Sequence, residues 1–226
     1  MKMVREEELL PIISDNIDAF GKNLYQIYQL KSGFGIADIV FYNLDKKVIA
    51  NRKVQNIDPI DSYDIIRILT TLNHIDFDTI SLTFLKQALP CSSKNRDEIV
   101  SYLIENGFLI PRDRTSFSKG NKYQIGLQEV VAVEAKLSNW QRGLYQAYRY
   151  KEYANKSYLA LYERYLHRAL KHIDDFIRFN VGLVEVSNSS IYIHYEPKPE
   201  PTKQNVFSAL VFEQLFGTQK HFFPNV

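Results

Sequence analysis

Residues 129–137, EVVAVEAKL, form an apolar stretch whose second half holds a carboxylate and an ammonium group two residues apart, Glu134 and Lys136. Side chains alternate between the two faces of a strand, so this segment predicts one apolar face and one face with the charged pair. The apolar face consists of Val131, Val133 and Ala135. Strand interiors rarely hold such a pair without a partner or a chemical task, although a salt bridge on an edge strand is the alternative explanation.

Two neighbouring segments also carry polar groups at unusual places. Asp38 lies inside the apolar segment 35–41, GIADIVF, where aspartate is disfavoured. In the helix predicted after the EVVAVEAKL strand, Gln141 and Tyr145 are four residues apart and share one face with Tyr148. Each feature alone has a structural explanation, namely a carboxylate at a strand end and a tyrosine-rich packing stripe.

The composition is that of a globular protein, with 226 residues of which 45% are hydrophobic and 24% charged. The single cysteine cannot form an intrachain disulfide, no apolar run approaches the ~20 residues of a membrane span, and the N-terminus lacks a signal-peptide core. We therefore expect a soluble cytoplasmic protein without membrane contact. Residues 136–171 carry eight Lys or Arg and only two Glu. This positive charge could bind a polyanion, but it is equally typical of a solvent-exposed helix face.

Hydrophobic periodicity and turn residues predict a chain of mixed helices and strands. Strands are expected at 24–30, 34–42, 47–50 (a weaker candidate), 108–111, 122–125, 129–137, 157–161, 181–186 and 191–195. Helices are expected at 5–20 (weakened by Pro11), 61–72, 81–89, 93–106 (ended by Gly107), 140–154, 166–179 and 206–216.

The three helices and following β-hairpin of residues 61–125 resemble a winged helix-turn-helix domain. The resemblance implies DNA contact through the N-terminus of the third helix and through the wing. The residues concerned are Ser93, Lys94, Asn95, Arg96, Arg112, Arg114, Lys119 and Lys122. The module balances eight basic with eight acidic residues, and winged helices also bind proteins, so a protein partner stays open.

The ordered set of Asp38, then Glu134-Ala135-Lys136, then Gln141 and Tyr145 resembles the PD-(D/E)XK nuclease superfamily. The chain departs from the family pattern in having alanine rather than proline before Asp38. The resemblance implies an α/β fold with a restriction-endonuclease-like mixed sheet flanked by helices. Residues 1–60 and 126–226 would form it, with 61–125 as an inserted α+β winged-helix domain.

The same resemblance implies the roles of individual residues. Mg²⁺ or Mn²⁺ would be held by Asp38, Glu134, the carbonyl of Ala135 and an acid from the first helix. Glu6 is the favoured acid, since it is in register with the apolar stripe of that helix, and Glu7 and Glu8 are its alternatives. Lys136 would assist the attacking water, Gln141 and Tyr145 would line the site, and Arg142 would contact DNA.

The sequence therefore predicts a magnesium-dependent deoxyribonuclease, of endonuclease type, with a winged-helix insertion that positions the DNA. The alternative is a non-catalytic DNA-binding or regulatory protein that keeps the nuclease scaffold. A homodimer, or a protein partner bound through the winged helix or the C-terminal helix, is also left open.

Overall fold

The computed structural model of the protein describes residues 5–222. Its helices are α1 Leu9–Asp15, α2 Lys46–Val54, α3 Tyr63–His74, α4 Leu82–Ala88, α5 Ser93–Glu105, α6 Trp140–Arg149, α7 Glu163–Leu170, α8 Ile173–Phe179 and α9 Val206–Phe222. Its strands are β1 Tyr25–Lys31, β2 Ile36–Leu44, β3 Thr79–Ser81, β4 Leu109–Pro111, β5 Ser116–Lys119, β6 Leu127–Lys136, β7 Lys156–Tyr162, β8 Gly182–Val186 and β9 Ile191–Tyr195. None of the helices in the described range is both long and apolar enough to cross a membrane.

The chain forms two compact units, each built from two segments. Residues 5–44 and 127–203 form the first unit, and residues 45–126 and 204–222 form the second. Residues 45–60 and 204–222, which the sequence analysis assigns to the nuclease-like part, pack with the second unit. Residues 223–226, assigned to the nuclease-like part by the same prediction, lie outside the described residues.

The first unit has three layers around a six-stranded mixed sheet of order β1-β2-β6-β7-β8-β9. The strands β6, β7 and β8 run parallel, and the remaining neighbours are antiparallel. Helix α1 packs its buried Leu9 and Ile13 on one face of the sheet, and α6, α7 and α8 cover the other face. The expected α/β class, with a mixed sheet flanked by helices, is confirmed.

Strand β6 alternates between the two layers as its sequence predicts. Val131, Val133 and Ala135 are buried on the face that α1 covers. Glu134 and Lys136 consequently lie on the face that carries α6. Pro11 falls within the first turn of α1, where its missing N–H leaves no helical hydrogen bond unmade.

The second unit combines five helices with the three-stranded sheet β3-β5-β4. Its elements follow in the order helix, helix, strand, helix, helix, strand, strand, and α9 completes it. Gly107 follows α5 with a φ of 72°, the left-handed conformation expected of a glycine that ends a helix.

The predicted helix 5–20 is α-helical only over Leu9–Asp15. Three other predicted elements also differ from the structure. Residues 47–50 are helical because the Asp45 carboxylate caps α2 by accepting from two N–H groups of its first turn. Residues 122–125 form no strand, since the backbone carbonyl of Tyr123 accepts from the Asn73 amide instead of from a sheet neighbour. Residues 166–179 are divided between α7 and α8 at His172, whose ring stacks on Trp140 at 4.8 Å.

A buried ion pair joins α2 to α9 in the second unit. The two terminal guanidinium nitrogens of Arg52, Nη1 and Nη2, donate to the two carboxylate oxygens of Glu213 at 3.0 Å each. The side chains are 6% and 2% exposed. Glu213 also accepts from the hydroxyl of Tyr123 at 2.7 Å and from the backbone N–H of Ile60 at 2.8 Å. The Glu213 carboxylate therefore links α9 to the segments that contain Arg52, Ile60 and Tyr123.

Glu213→Gln is expected to lower the free energy of unfolding by about 3–5 kcal/mol, because it leaves the Arg52 charge buried without its counterion. The matched control is Asp64→Asn, which breaks the more exposed Asp64–Arg67 pair of the same unit and should cost below about 1 kcal/mol. Urea unfolding measures both. Equal losses in the two variants would contradict the assigned role of Glu213.

Candidate active site

Strands β2 and β6 stop pairing at the point where their polar residues begin. The last pair of their ladder at this end is Ile39 with Val133. Beyond it, the backbone N–H of Ala135 donates to Oδ2 of Asp38 at 2.8 Å instead of to a backbone carbonyl. The aspartate carboxylate is thus held between the two strands, half-buried at the edge of the core.

Gln29 is a second polar residue at this edge, and the sequence did not reveal it. The β1–β2 register places Gln29 opposite Asp38, and its side-chain amide donates to Oδ1 of Asp38 at 3.3 Å. Its φ of 55° is unusual for a residue other than glycine, and such strain is concentrated at functional sites. Nothing in the residue type signals this conformation, since glutamine has no preference for it.

Glu134 is almost completely enclosed, with 1% of its surface exposed. Its Oε1 accepts from Nζ of Lys136 at 2.5 Å, and its Oε2 accepts from the hydroxyl of Tyr150. Burial raises the pKa of the Glu134 carboxyl, against the opposing effect of these two hydrogen bonds, and the charge of Asp38 raises it further. The site therefore holds a carboxylate that gains a proton more readily than an exposed one.

Lys136 lies among oxygen atoms. Besides Glu134, its Nζ donates to the carbonyl oxygen of Ala135 at 3.2 Å and lies 3.7 Å from a carboxylate oxygen of Glu6. Glu6 also accepts from the backbone N–H of Leu137 at 3.2 Å. Among the three consecutive acids of this segment, Glu6 is the one that the structure places against the β6 strand, with its side chain about half exposed.

The predicted pair on α6 lies at the protein surface rather than against Glu134. Gln141 is exposed and Tyr145 is 63% exposed. The hydroxyl of Tyr150 instead reaches Glu134, and it also lies 2.9 Å from the carbonyl oxygen of Ile36. Burial and the neighbouring Glu134 raise the pKa of Tyr150 far above its ordinary value, so the hydroxyl keeps its proton and acts as a donor.

The sequence in fact contains the Gln-x-x-x-Tyr spacing twice, as Gln141 with Tyr145 and as Gln146 with Tyr150. The copies are offset by five residues, which is about 140° around a helix, so they cannot occupy the same face. The buried stripe of α6 decides between them. It consists of Trp140, Gly143, Leu144 and Ala147.

The second copy continues that buried stripe toward the sheet. Oε1 of Gln146 is buried without a hydrogen-bond partner among the described residues. Gly143 allows the close approach of α6, because a Cβ at this position would lie 2.5 Å from a methyl carbon of Leu159 and 3.0 Å from Cγ of Lys136. The buried spacing of α6 could have identified Gln146 and Tyr150 from the sequence.

The second unit contains the predicted winged-helix contacts, and two of them are engaged within the unit. The guanidinium of Arg96 donates to the carbonyl oxygens of Leu89 and Cys91 at 3.2 and 2.8 Å, which ties the turn between α4 and α5. Nζ of Lys119 donates to the carbonyl of Ile75. The other predicted contacts are exposed, namely Ser93, Lys94, Asn95, Arg112, Arg114 and Lys122, as is Arg142 in the first unit.

Comparison of the chain with protein-family models, with curated proteins and with solved structures finds no match. The chemistry of the site must therefore be judged from its own residues.

The oxygen donors at the end of β2 and β6 suit a hard divalent cation. Within residues 5–222, no three His, Cys, Asp or Glu side chains converge as a metal-binding group. Two carboxylates, of Asp38 and Glu134, and the carbonyl of Ala135 nevertheless belong to one small cluster. Mg²⁺ prefers oxygen ligands and commonly uses one or two carboxylates while it keeps several waters. The donor set fits such an ion, which would offset the repulsion between the two carboxylates.

The stability of the protein should depend on pH through Glu134. Since burial raises its folded-state pKa above the ordinary value of 4.5, the folded protein binds this proton more tightly than the unfolded chain does. The free energy of unfolding of the wild type, relative to Glu134→Gln, should therefore fall as the pH rises from 4.5 through the raised pKa. Urea unfolding across this range measures the difference, and a difference that grows with pH would contradict the burial effect.

Tyr150→Phe should lower the free energy of unfolding by about 1–3 kcal/mol, because Glu134 loses a hydrogen-bond donor in a buried site. Tyr145→Phe removes a tyrosine hydroxyl from an exposed position of α6, the helix that directly precedes Tyr150, and should change stability by less than about 0.5 kcal/mol. The pair of variants is compared by urea unfolding at one pH. If both behave alike, Tyr150 has no special role in holding Glu134.

Proposed function

We propose that the protein is a metal-dependent DNA nuclease whose reaction centre is the cluster of Asp38, Glu134 and Lys136. The observation that carries the proposal is the placement of these groups where β2 and β6 part. Asp38 accepts from the N–H of Ala135 at 2.8 Å, and Lys136 contacts Glu134 at 2.5 Å. Burying a carboxylate and a lysine beside a second carboxylate costs free energy that apolar packing would not cost. Such groups are, however, typical of sites that carry out chemistry.

Two fold assignments accompany this proposal. For the first unit we propose a restriction-endonuclease-like core, supported by its mixed sheet between helical layers and by the site on β2 and β6. For the second unit we propose a winged helix, supported by the order α3, β3, α4, α5, β4, β5 and by the antiparallel sheet β3-β5-β4.

Hydrolysis of a phosphodiester requires neutralisation of the charge on the phosphate and an activated water molecule. The carboxylates of Asp38 and Glu134 and the carbonyl of Ala135 would hold the divalent cation, which when bound supplies a Lewis acid for the phosphodiester and lowers the pKa of water. The ammonium group of Lys136, a hydrogen-bond donor with no acceptor capacity, would stabilise the negative charge that develops on the phosphate.

Tyr150 and Gln146 would act as positioning residues rather than as reacting groups. The Tyr150 hydroxyl fixes one oxygen of Glu134 and leaves the other for Lys136 or a cation. Glu6, which already lies against Lys136 and the backbone N–H of Leu137, would orient the lysine or join the cation's ligands.

The second unit would make fewer DNA contacts than the sequence analysis predicts. Arg96 and Lys119 donate to backbone carbonyls within the unit, so the cations that stay exposed among its predicted DNA contacts are Lys94, Arg112, Arg114 and Lys122. We therefore propose that this unit contacts DNA through the exposed wing, which is the β4–β5 hairpin, and not through α5 alone.

The direct test is cleavage of supercoiled plasmid and linear DNA with Mg²⁺, with Mn²⁺ and with EDTA. Cleavage should require the metal, and Asp38→Asn and Lys136→Ala should each reduce its rate by about 100-fold or more. The reason is that the first variant removes a carboxylate ligand and the second removes the donor beside the phosphate.

Lys156→Ala is the matched control, because it removes a lysine of the neighbouring strand that is also ion-paired, with Glu196 at 2.6 Å. Its cleavage rate should match that of the wild type. Cleavage that survives in Lys136→Ala would reject this centre. DNA binding without cleavage in either metal would favour the non-catalytic alternative.

A further inference from the structure

The exposed face of α6 carries a stacked group of aromatic and cationic side chains beside the candidate active site. The guanidinium carbon of Arg149 lies 5.7 Å from the ring centre of Phe34 and 5.8 Å from that of Tyr145. These distances are within the range of cation–π attraction, so the three side chains form one layered group. We refer to Phe34, Tyr145 and Arg149 as the aromatic platform.

The chain places the platform directly next to the catalytic cluster. Arg149 precedes Tyr150, the residue whose hydroxyl fixes Glu134. Phe34 lies in the turn between β1 and β2, two residues before Ile36, whose carbonyl oxygen is 2.9 Å from the same hydroxyl. A substrate that reaches Glu134 would consequently pass close to the platform.

The platform is accessible and positively charged. Tyr145 is 63% exposed, a large fraction for an aromatic ring that has apolar neighbours on its own helix. Arg142 lies three residues earlier on α6, on the same side as Tyr145, and is exposed. Across residues 5–222, neither Arg142 nor Arg149 is paired with a carboxylate, in contrast to Lys151, which contacts Glu200 at 2.6 Å.

We propose that the aromatic platform, together with Arg142, binds single-stranded DNA and selects it as the substrate; this proposal rests on the nuclease function proposed above. Unpaired bases offer ring faces on which Tyr145 can stack, and the arginines can contact the adjoining phosphates. A continuous duplex hides its base faces between neighbouring pairs, so it can use the arginines but not the rings. The platform therefore discriminates between strands that are paired and strands that are not.

The binding test uses the full chain, a fluorescent 20-nucleotide oligo-dT, and a blunt duplex of the same length, in EDTA so that no cleavage occurs. Fluorescence anisotropy should show tighter binding of the single strand. Tyr145→Ala should weaken single-strand binding by about tenfold or more and leave duplex binding within about twofold. Tyr145→Phe should retain single-strand affinity, because it keeps the ring.

Tyr192→Ala is the matched control, since Tyr192 on β9 is 65% exposed and lies outside the platform. Equal single-strand affinities of Tyr145→Ala and Tyr192→Ala would overturn the proposal. Equal weakening of single-strand and duplex binding in Tyr145→Ala would also overturn it, because the ring would then act without regard to base pairing.

The metal-dependent cleavage test, with single-stranded DNA added to the plasmid and linear duplex, separates this proposal from the one on which it rests. If the wild type binds oligo-dT through Tyr145 but cleaves no DNA in Mg²⁺ or Mn²⁺, the platform is retained and the nuclease function fails. If it cleaves duplex as fast as single strands and Tyr145→Ala cleaves both at the wild-type rate, the nuclease function is retained and the platform fails. If the folded wild-type protein does not bind oligo-dT, the platform is rejected as a DNA-binding site.

Discussion

The local structure of the first unit is organised around a carboxylate that the fold removes from water. Glu134 is 1% exposed in the middle layer of an α/β sandwich, and an ionised group in such a place requires compensation. Lys136 supplies a counter-charge from the same strand, and Tyr150 supplies a donor from the covering helix. Burial outweighs both hydrogen bonds, so the pKa of Glu134 stays above its ordinary value.

A second carboxylate adds to this effect. Asp38 stands close enough to add to the raised pKa of Glu134, so the cluster carries two carboxylates with one nearby ammonium group. A structural salt bridge would have no use for the second carboxylate. The interruption of the β2–β6 ladder after Ile39 and Val133 is likewise a cost that pairing alone does not explain.

The alternation of β6, the positions of the main strands and the α/β class could be predicted because each follows from local periodicity. The Asp38 and Glu134–Lys136 residues could be identified for a related reason, since charges inside apolar strands are conspicuous. The sequence analysis considered only the first Gln-x-x-x-Tyr copy, and an exposed tyrosine and a buried tyrosine look alike as residue types. Only the stripe through Gly143 and Ala147 shows which face of α6 is covered.

Long-range partners lay beyond prediction. The Arg52–Glu213 pair joins residues 161 positions apart, and no local pattern in α2 or α9 indicates it. Gln29 reaches Asp38 through a left-handed conformation that its residue type does not favour. The engagement of Arg96 with two backbone carbonyls likewise depends on how the α4–α5 turn closes. In each case the sequence shows a charge or an amide but not the group that satisfies it.

The long segment between β2 and β6 joins these strands at the end of their ladder that is opposite to the candidate site. Strands β2 and β6 are antiparallel, and Leu44 pairs with Leu127 at the end of the ladder opposite to Asp38. Six residues of strand separate Leu44 from Asp38, or about 20 Å at the usual rise. Because the register of β2 and β6 is fixed by this ladder and by their buried faces, it is independent of the length of the segment that joins them. Such a connection can hold a hairpin turn or a whole unit, because Asp38 and the Glu134–Lys136 pair lie at the other end of the same two strands.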